Sequence, residues 1–304
     1  MKANFTPSLR IALFTTVLVI YHPSYILAQG SLTPPGAPAP TMKTLDQVEP
    51  RKEINATNTP GTATSLFRIA QPGSYYLSAN VTGVSAKHGI EIAANDVTLD
   101  LNGFALVGVG GSLNGVNVPG AVLHLTLRNG SVRTWGQSGL SASSATGSVI
   151  EDLKLSNNSG GGLVIGDGTN INRCTVRTNI GNGIVAGSSC RIIACVVEAQ
   201  GGGGTGVQVS SECIVADCTV TGNQGDGIRT STKCSLTNCV SARNSGTGFI
   251  GGNGCALSNC SGSDNSGDGF NFLDAATLHN CAAYSNSGTG ISLRDGGTVS
   301  GAHQ

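Results

Sequence analysis

Apolar residues recur along this chain with a period of about 21 residues. In each repeat an apolar residue follows a glycine, usually the second glycine of a Gly-x-Gly tripeptide, and between Ile184 and Ile291 its spacings are 23, 21, 21, 21 and 21. Earlier repeats are looser, and the whole column consists of Ile90, Val116, Leu140, Leu163, Ile184, Val207, Ile228, Phe249, Phe270 and Ile291. A fixed period of this length is typical of a solenoid. The pattern therefore predicts roughly ten stacked coils that run to the C-terminus.

Two further columns keep fixed distances from the first. One reads Leu153, Cys174, Cys195, Cys218, Cys239, Cys260 and Cys281, and the position three residues before it is always aliphatic. The other reads Ser148, Thr169, Cys190, Cys213, Cys234, Cys255 and Ala276. Apolar positions within a repeat come in pairs two residues apart, which puts both side chains on one face of a strand. Each coil of this all-β fold is therefore predicted to contain three short strands, and their unequal steps argue against a left-handed helix of hexapeptides.

Asparagine marks the longest bend of the repeat. It stands five residues before the Gly-x-Gly apolar position, at Asn158, Asn179, Asn223, Asn244, Asn265 and Asn286. Asparagine tolerates tight bends, and its amide can bond to the same group one coil away. We expect an asparagine ladder in this bend.

All ten cysteines fall in the two inward columns. The same columns accept Ser148, Leu153 and Ala276, as packing positions do, so buried free thiols are the preferred interpretation. Two alternatives stay open. An exported protein can form disulfides, and the C-x4-C spacing fits a zinc site loosely, without histidine partners.

The N-terminus has the layout of a signal peptide over residues 1–28. Lys2 and Arg10 precede an uncharged apolar run, and the segment ends in the small residue Ala28. The run is shorter than the about 20 residues of a membrane span, so a secreted, periplasmic or cell-surface location without a stable span is expected. Residues 29–41 form a Pro-rich linker. Thr44 and Gln47 form a capping box for a short helix that would cap the solenoid, which makes residues 42–86 an N-terminal cap and lead-in region before the repeats of residues 87–304.

The charge composition bears on which partners are expected. Seventeen basic and seventeen acidic residues give a formal net charge of zero. General electrostatic attraction to nucleic acid is therefore not expected.

Four segments carry a resemblance to a known family. Residues 42–51, 71–77, 87–92 and 97–104 resemble the first part of secreted right-handed parallel β-helix repeat proteins of environmental bacteria, which are related in fold to pectate lyases. The likeness covers residues 42–304. It implies a single right-handed parallel β-helix and export, but no particular chemistry.

Enzymes of this architecture act on acidic polysaccharides with carboxylates, a basic residue and often Ca²⁺. The nearest candidates for such a catalytic cluster are Asp152, Arg173, Arg177 and Glu198, on neighbouring coils; solvated ion pairs are the alternative interpretation. Trp135 is a candidate glycan platform, because it takes the bend position of the asparagines and is expected to lie exposed there.

Two functions follow from these patterns. The first is a non-catalytic role in glycan binding, adhesion or surface structure, without cofactor or metal. The second is a polysaccharide lyase or hydrolase acting on an acidic glycan, with Ca²⁺ as a cofactor if it is a lyase. A polysaccharide is the expected partner, and the C-terminal end of the solenoid is a candidate surface for oligomerisation.

Overall fold

The computed structural model describes residues 50–301 and residue 303, and every regular element in that part of the chain is a β-strand. The predicted signal peptide, the linker and the capping helix fall on residues 1–49 and lie outside the described residues. No helix in the described part is long and apolar enough to cross a lipid bilayer.

Three strands per coil stack on those of the next coil to form three faces of a parallel β-solenoid. We number the faces in the order in which the chain meets them within a coil. The third face is one sheet of eleven strands, with Ser65–Ile69, His88–Ile92, Val116–Asn117, Leu140–Ala142, Leu163–Ile165, Ile184–Ala186, Val207–Val209, Ile228–Thr230, Phe249–Gly251, Phe270–Phe272 and Ile291–Leu293. Residues of the first apolar column pair directly, as Phe249 does with Phe270.

The first and second faces together form a sheet of twenty strands. The first face contains Lys52–Glu53, Gly73–Tyr76, Val97–Asp100, Asn170–Asn172, Arg191–Ile193, Ile214–Ala216, Ser235–Thr237, Ala256–Ser258, Thr277–His279 and Thr298–Ser300. The second contains Val81–Thr82, Ala105–Val107, Thr175–Arg177, Val196–Glu198, Thr219–Thr221, Val240–Ala242, Ser261–Ser263 and Ala282–Tyr284. Thr126–Arg133 and Val149–Ser156 continue across both faces, and Val122–Leu123 pairs separately with Ala145–Thr146.

The solenoid has about 12 turns of about 21 residues. The sequence pattern predicted roughly ten coils because it was recognised by a glycine before each apolar residue of the first column. Phe67 pairs with Ile90 and so belongs to that column, but no glycine precedes Phe67. Lys52 lies on the same coil as Phe67 and pairs with Tyr75 of the next coil. Coils of the solenoid therefore already lie within the lead-in region.

The predicted inward columns are buried. Ile150, Ile171 and Ile192 are inaccessible to solvent, and Ser148, Thr169 and Ala276 share the interior with the cysteines. All ten cysteines are free and buried, which confirms their inward position. No single coil could bury these residues alone, so stability comes from stacking.

The asparagine ladder is present and contains one residue that the sequence did not reveal. Asn244 donates through Nδ2 to Oδ1 of Asn265 at 3.1 Å, and the same oxygen accepts from the Asn244 backbone N–H at 3.0 Å. Gln200 takes the place of an asparagine and accepts from Asn179 Nδ2 at 3.1 Å. The glycines at 201–204 lengthen this bend, so Gln200 does not stand five residues before the next apolar position as the asparagines do, and the sequence pattern did not reveal it.

Trp135 is fully buried, so the expected exposure of this side chain was wrong. Its indole Nε1 donates to the Leu106 carbonyl at 3.2 Å. A Cβ on Gly89 would lie 2.7 Å from the indole ring and one on Gly115 2.9 Å from it. The glycines of the early coils thus leave space inside the solenoid, and the indole fills that space.

Candidate functional site

A column of residues lines the corner where the first face of each coil turns into the second. Their backbones are left-handed, with φ of 61° at Asn129 and 54° at Asp152, a conformation that Asn and Asp tolerate better than most residues. Except for Ala194, all are polar. We call this set the corner column; its members are Asn102, Asn129, Asp152, Arg173, Ala194, Asp217, Asn238, Asn259 and Asn280.

Asp152 and Arg173 form an exposed ion pair within the corner column. Arg173 donates from Nε and Nη2 to the two carboxylate oxygens of Asp152, both at 2.8 Å, and Nη2 also donates to Glu151 at 3.1 Å. The hydrogen bonds from Arg173 lower the pKa of Asp152. Asp152 is therefore held as an anion.

The other two predicted residues form a separate pair. Arg177 and Glu198 lie directly opposite each other on adjacent strands of the second face, and the guanidinium Nε bonds to the carboxylate. No hydrogen bond or ion pair between described residues joins this pair to Asp152 or Arg173. The four candidates are thus two ion pairs on different columns; whether any of them has a catalytic role stays a prediction.

Asp100 organises the coils before Asp152. This buried carboxylate accepts from Arg128 Nε at 3.2 Å, from Asn129 Nδ2 at 3.2 Å and from the Asn102 backbone N–H at 2.8 Å. Arg51 approaches the same carboxylate at 3.5 Å and lies over the ring of Tyr76. The amide of Asn129 is therefore held in one orientation.

A cleft of about 170 Å³ lies beside this network. Gly130 is required there, because a Cβ would lie 2.4 Å from Leu101 Cβ, whereas a Cβ on Gly103 would meet nothing within 4 Å. The cleft is smaller than the about 300–1,000 Å³ of typical ligand pockets, so it suits one unit of a longer ligand. It is lined by Gly103, Asn129, Gly130, Ser131, Asp152 and Lys154.

The cleft presents one cation that is free to meet a ligand. Lys154 is exposed and makes no ion pair with any described residue. Ser131 lies beside it on the preceding strand. Asn129 uses one amide hydrogen on Asp100, which leaves its other N–H and its oxygen to face a ligand. The described residues contain no cluster of three or more His, Cys, Asp or Glu side chains placed to hold a metal ion.

Comparisons with known proteins agree with the topology. Residues 185–303 match the model of a family described as the right handed beta helix region. This is a right-handed parallel β-helix protein. No protein of curated function matches the β-helix in sequence.

Solved structures show the same fold. The A-module of the Azotobacter vinelandii mannuronan C-5 epimerase AlgE6 is similar, with 13% identity, a TM-score of 0.51 and coverage of 84% of this chain and 88% of that chain. ORF18 of Geobacillus virus E2 is similar with 12% identity and a TM-score of 0.54, and covers 82% of this chain. The β-helix spans only 54% of that viral chain.

Of the residues that line the cleft, only Asp152 was predicted from the sequence as a site residue. Lys154 carried a usable signal: it alternates with buried Leu153 and Leu155, so it must face outward. Its neighbours in register are Ser131 and Thr175, neither of which can neutralise it. An outward cation without an opposite charge on either adjacent coil is therefore a signal that includes Lys154, although Arg191 between Asn170 and Ile214 shares it.

Proposed function

We propose that this β-helix protein binds an acidic polysaccharide at the Lys154 cleft without altering it chemically. The observation that carries the proposal is the unpaired ammonium of Lys154 beside the hydroxyl of Ser131 and the amide of Asn129. A carboxylate of a uronic acid would pair with Lys154, and sugar hydroxyls would bond to the two neutral groups.

The chemistry of the cleft supports binding rather than hydrolysis. Glycosidases generally use two carboxyl groups, one of them protonated to serve as the acid. The cleft has one carboxylate, that of Asp152, and Arg173 keeps it ionised. The name of the epimerase module with the same fold, mannuronan C-5 epimerase, supports a polymer that contains uronic acid as the class of ligand.

Such a ligand would be met outside the cytoplasm. The signal-peptide layout of residues 1–28 supports export of the protein. N-terminal sequencing of protein recovered from outside the cytoplasm is expected to begin near residue 29.

The test is titration calorimetry of the protein with tetrasaccharides of pectate, alginate and hyaluronan. Lys154→Gln is expected to weaken binding at least tenfold, because a hydrogen bond to a charged group contributes about 1.5–3 kcal/mol. Lys233→Gln is the matched control, since Lys233 is exposed on a different corner. It should leave the affinity unchanged.

Two results would count against the proposal. Equal affinities of the two lysine variants, or no binding of any acidic tetrasaccharide, would remove the cleft as the site. Ultraviolet absorbance from unsaturated products during incubation with the polymers, lost in Lys154→Gln, would show a lyase instead.

A further inference from the structure

The corner column continues beyond the cleft as a ladder of exposed amides. Asn280 donates through Nδ2 to Asn259 at 2.8 Å, Asn259 donates to Asn238 at 3.3 Å, and Asn238 donates to Asp217 at 3.1 Å. All four side chains are exposed. We call these four residues the outer ladder.

The outer ladder has hydrogen-bonding capacity to spare. In the buried ladder most amides also donate to a backbone carbonyl, as Asn244 Nδ2 does to Val220 and Asn265 Nδ2 does to Ser241. Amides of the outer ladder bond only along the ladder, so Asn238 and Asn259 each retain one N–H and one oxygen lone pair toward solvent. The same donor and acceptor pair therefore recurs on successive coils.

The strands beside the outer ladder present a flat and uncharged surface. Ser258 donates to the Thr237 hydroxyl at 3.4 Å on one side of the ladder. Thr219 pairs in register with Val240, and Val240 with Ser261, on the other side. From Ile214 to Ser263 the described strands of these two faces contain no Asp, Glu, Lys or Arg. A ligand can therefore approach both sides of the ladder.

The spacing of the ladder selects the kind of ligand. Parallel strands in register repeat every about 4.8 Å. An extended peptide advances about 3.3 Å per residue and a nucleic-acid strand about 3.4 Å per nucleotide, with a phosphate that needs cations this surface lacks. A pyranose in an extended polysaccharide chain spans close to one coil.

We propose that the corner column is a continuous glycan track that takes one sugar per coil, starting at the Lys154 cleft and running along the outer ladder. The inference rests on the proposed function and sharpens its ligand. If the sugar at the Asp152 coil is acidic, a polymer that alternates acidic and neutral sugars places a neutral one at Asp217, three coils on. A polymer of uronic acids alone would bring a carboxylate against Asp217.

The experiment measures affinity against chain length with hyaluronan oligosaccharides, in which acidic and neutral sugars alternate. Affinity should rise from the disaccharide to about the octasaccharide and should then level off, because the corner column has eight members from Asn129 to Asn280, both included. An oligogalacturonate octasaccharide, acidic at every sugar, should bind more weakly than the hyaluronan octasaccharide.

Variants separate the track from the cleft. The double variant Asn238→Gly and Asn259→Gly removes two amides, and glycine accepts their left-handed backbone. It should weaken octasaccharide binding about tenfold and leave disaccharide binding unchanged. Asn157→Gly is the control, because Asn157 is an exposed left-handed asparagine at another corner.

The outcomes are distinct. An affinity that depends on Lys154 but not on chain length, or a double variant that behaves like Asn157→Gly, overturns the track and leaves the proposed function standing. Absence of binding for every oligosaccharide overturns both.

Discussion

Arg173 donates two hydrogen bonds of 2.8 Å to the carboxylate of Asp152 on the preceding coil, one to each oxygen. This bidentate geometry fixes the only carboxylate of the cleft beside Lys154. The charge of the site therefore depends on a residue that does not line it.

The pKa of Asp152 should rise when that partner is removed. Arg173→Gln deletes the hydrogen bonds that lower it, so the NMR titration midpoint of the Asp152 carboxyl is expected to move back toward the usual aspartate value. Because the folded-state pKa is below the unfolded value, the small stabilisation from this exposed pair is present above the unfolded pKa. It is lost as the pH falls through the folded-state pKa. Arg191→Gln is the control, and an equal midpoint in the two variants would contradict the assignment.

Trp135 should report on the core rather than on a ligand. It is the single tryptophan of the chain and is fully buried, so native fluorescence is expected to be blue-shifted and insensitive to added glycan. Trp135→Ala should reduce the free energy of unfolding by about 3–5 kcal/mol, because it leaves a large cavity. Trp135→Phe should cost less. Quenching of native Trp135 by soluble acrylamide as fast as in the unfolded chain would disprove burial.

The buried ladder should contribute much more to stability than the outer ladder. Asn244→Ala removes the oxygen that accepts from the Asn223 backbone N–H at 3.0 Å and from its Nδ2 at 2.9 Å. Leaving these buried donors unsatisfied should cost about 2–4 kcal/mol in the free energy of unfolding. Asn259→Gly, in the exposed ladder, should stay within about 1 kcal/mol of wild type. Comparable losses in urea denaturation would refute the distinction.

The cysteines should behave as core residues. All ten lie buried in the interior, where an alkylating reagent does not reach the sulfur atoms. All ten thiols should resist alkylation in the native protein and titrate completely after unfolding without reductant. Cys239→Ala should cost about 1 kcal/mol through a small cavity. Fewer than ten thiols in the unfolded chain would instead indicate disulfides.

Much of the fold could be predicted from the sequence because a stacked coil repeats its environment. The same position in every coil faces the interior, so Ile171, Ile192 and Val215 fall in one buried column and the period is visible directly. The repeat is harder to recognise where its spacing is irregular. Phe67 has no preceding glycine, and Gln200 lies next to an insertion.

The sequence by itself determined the solenoid, its inward columns and its asparagine bend, because each depends on the regular spacing of residue types along one chain. Only the tertiary structure decided that Trp135 turns inward, since the space it fills is left by glycines on other coils. The cleft, too, was decided only by the tertiary structure. Gly103, Asn129 and Lys154 belong to three successive coils, and the left-handed corner that brings them together is set by backbone angles, not by spacing.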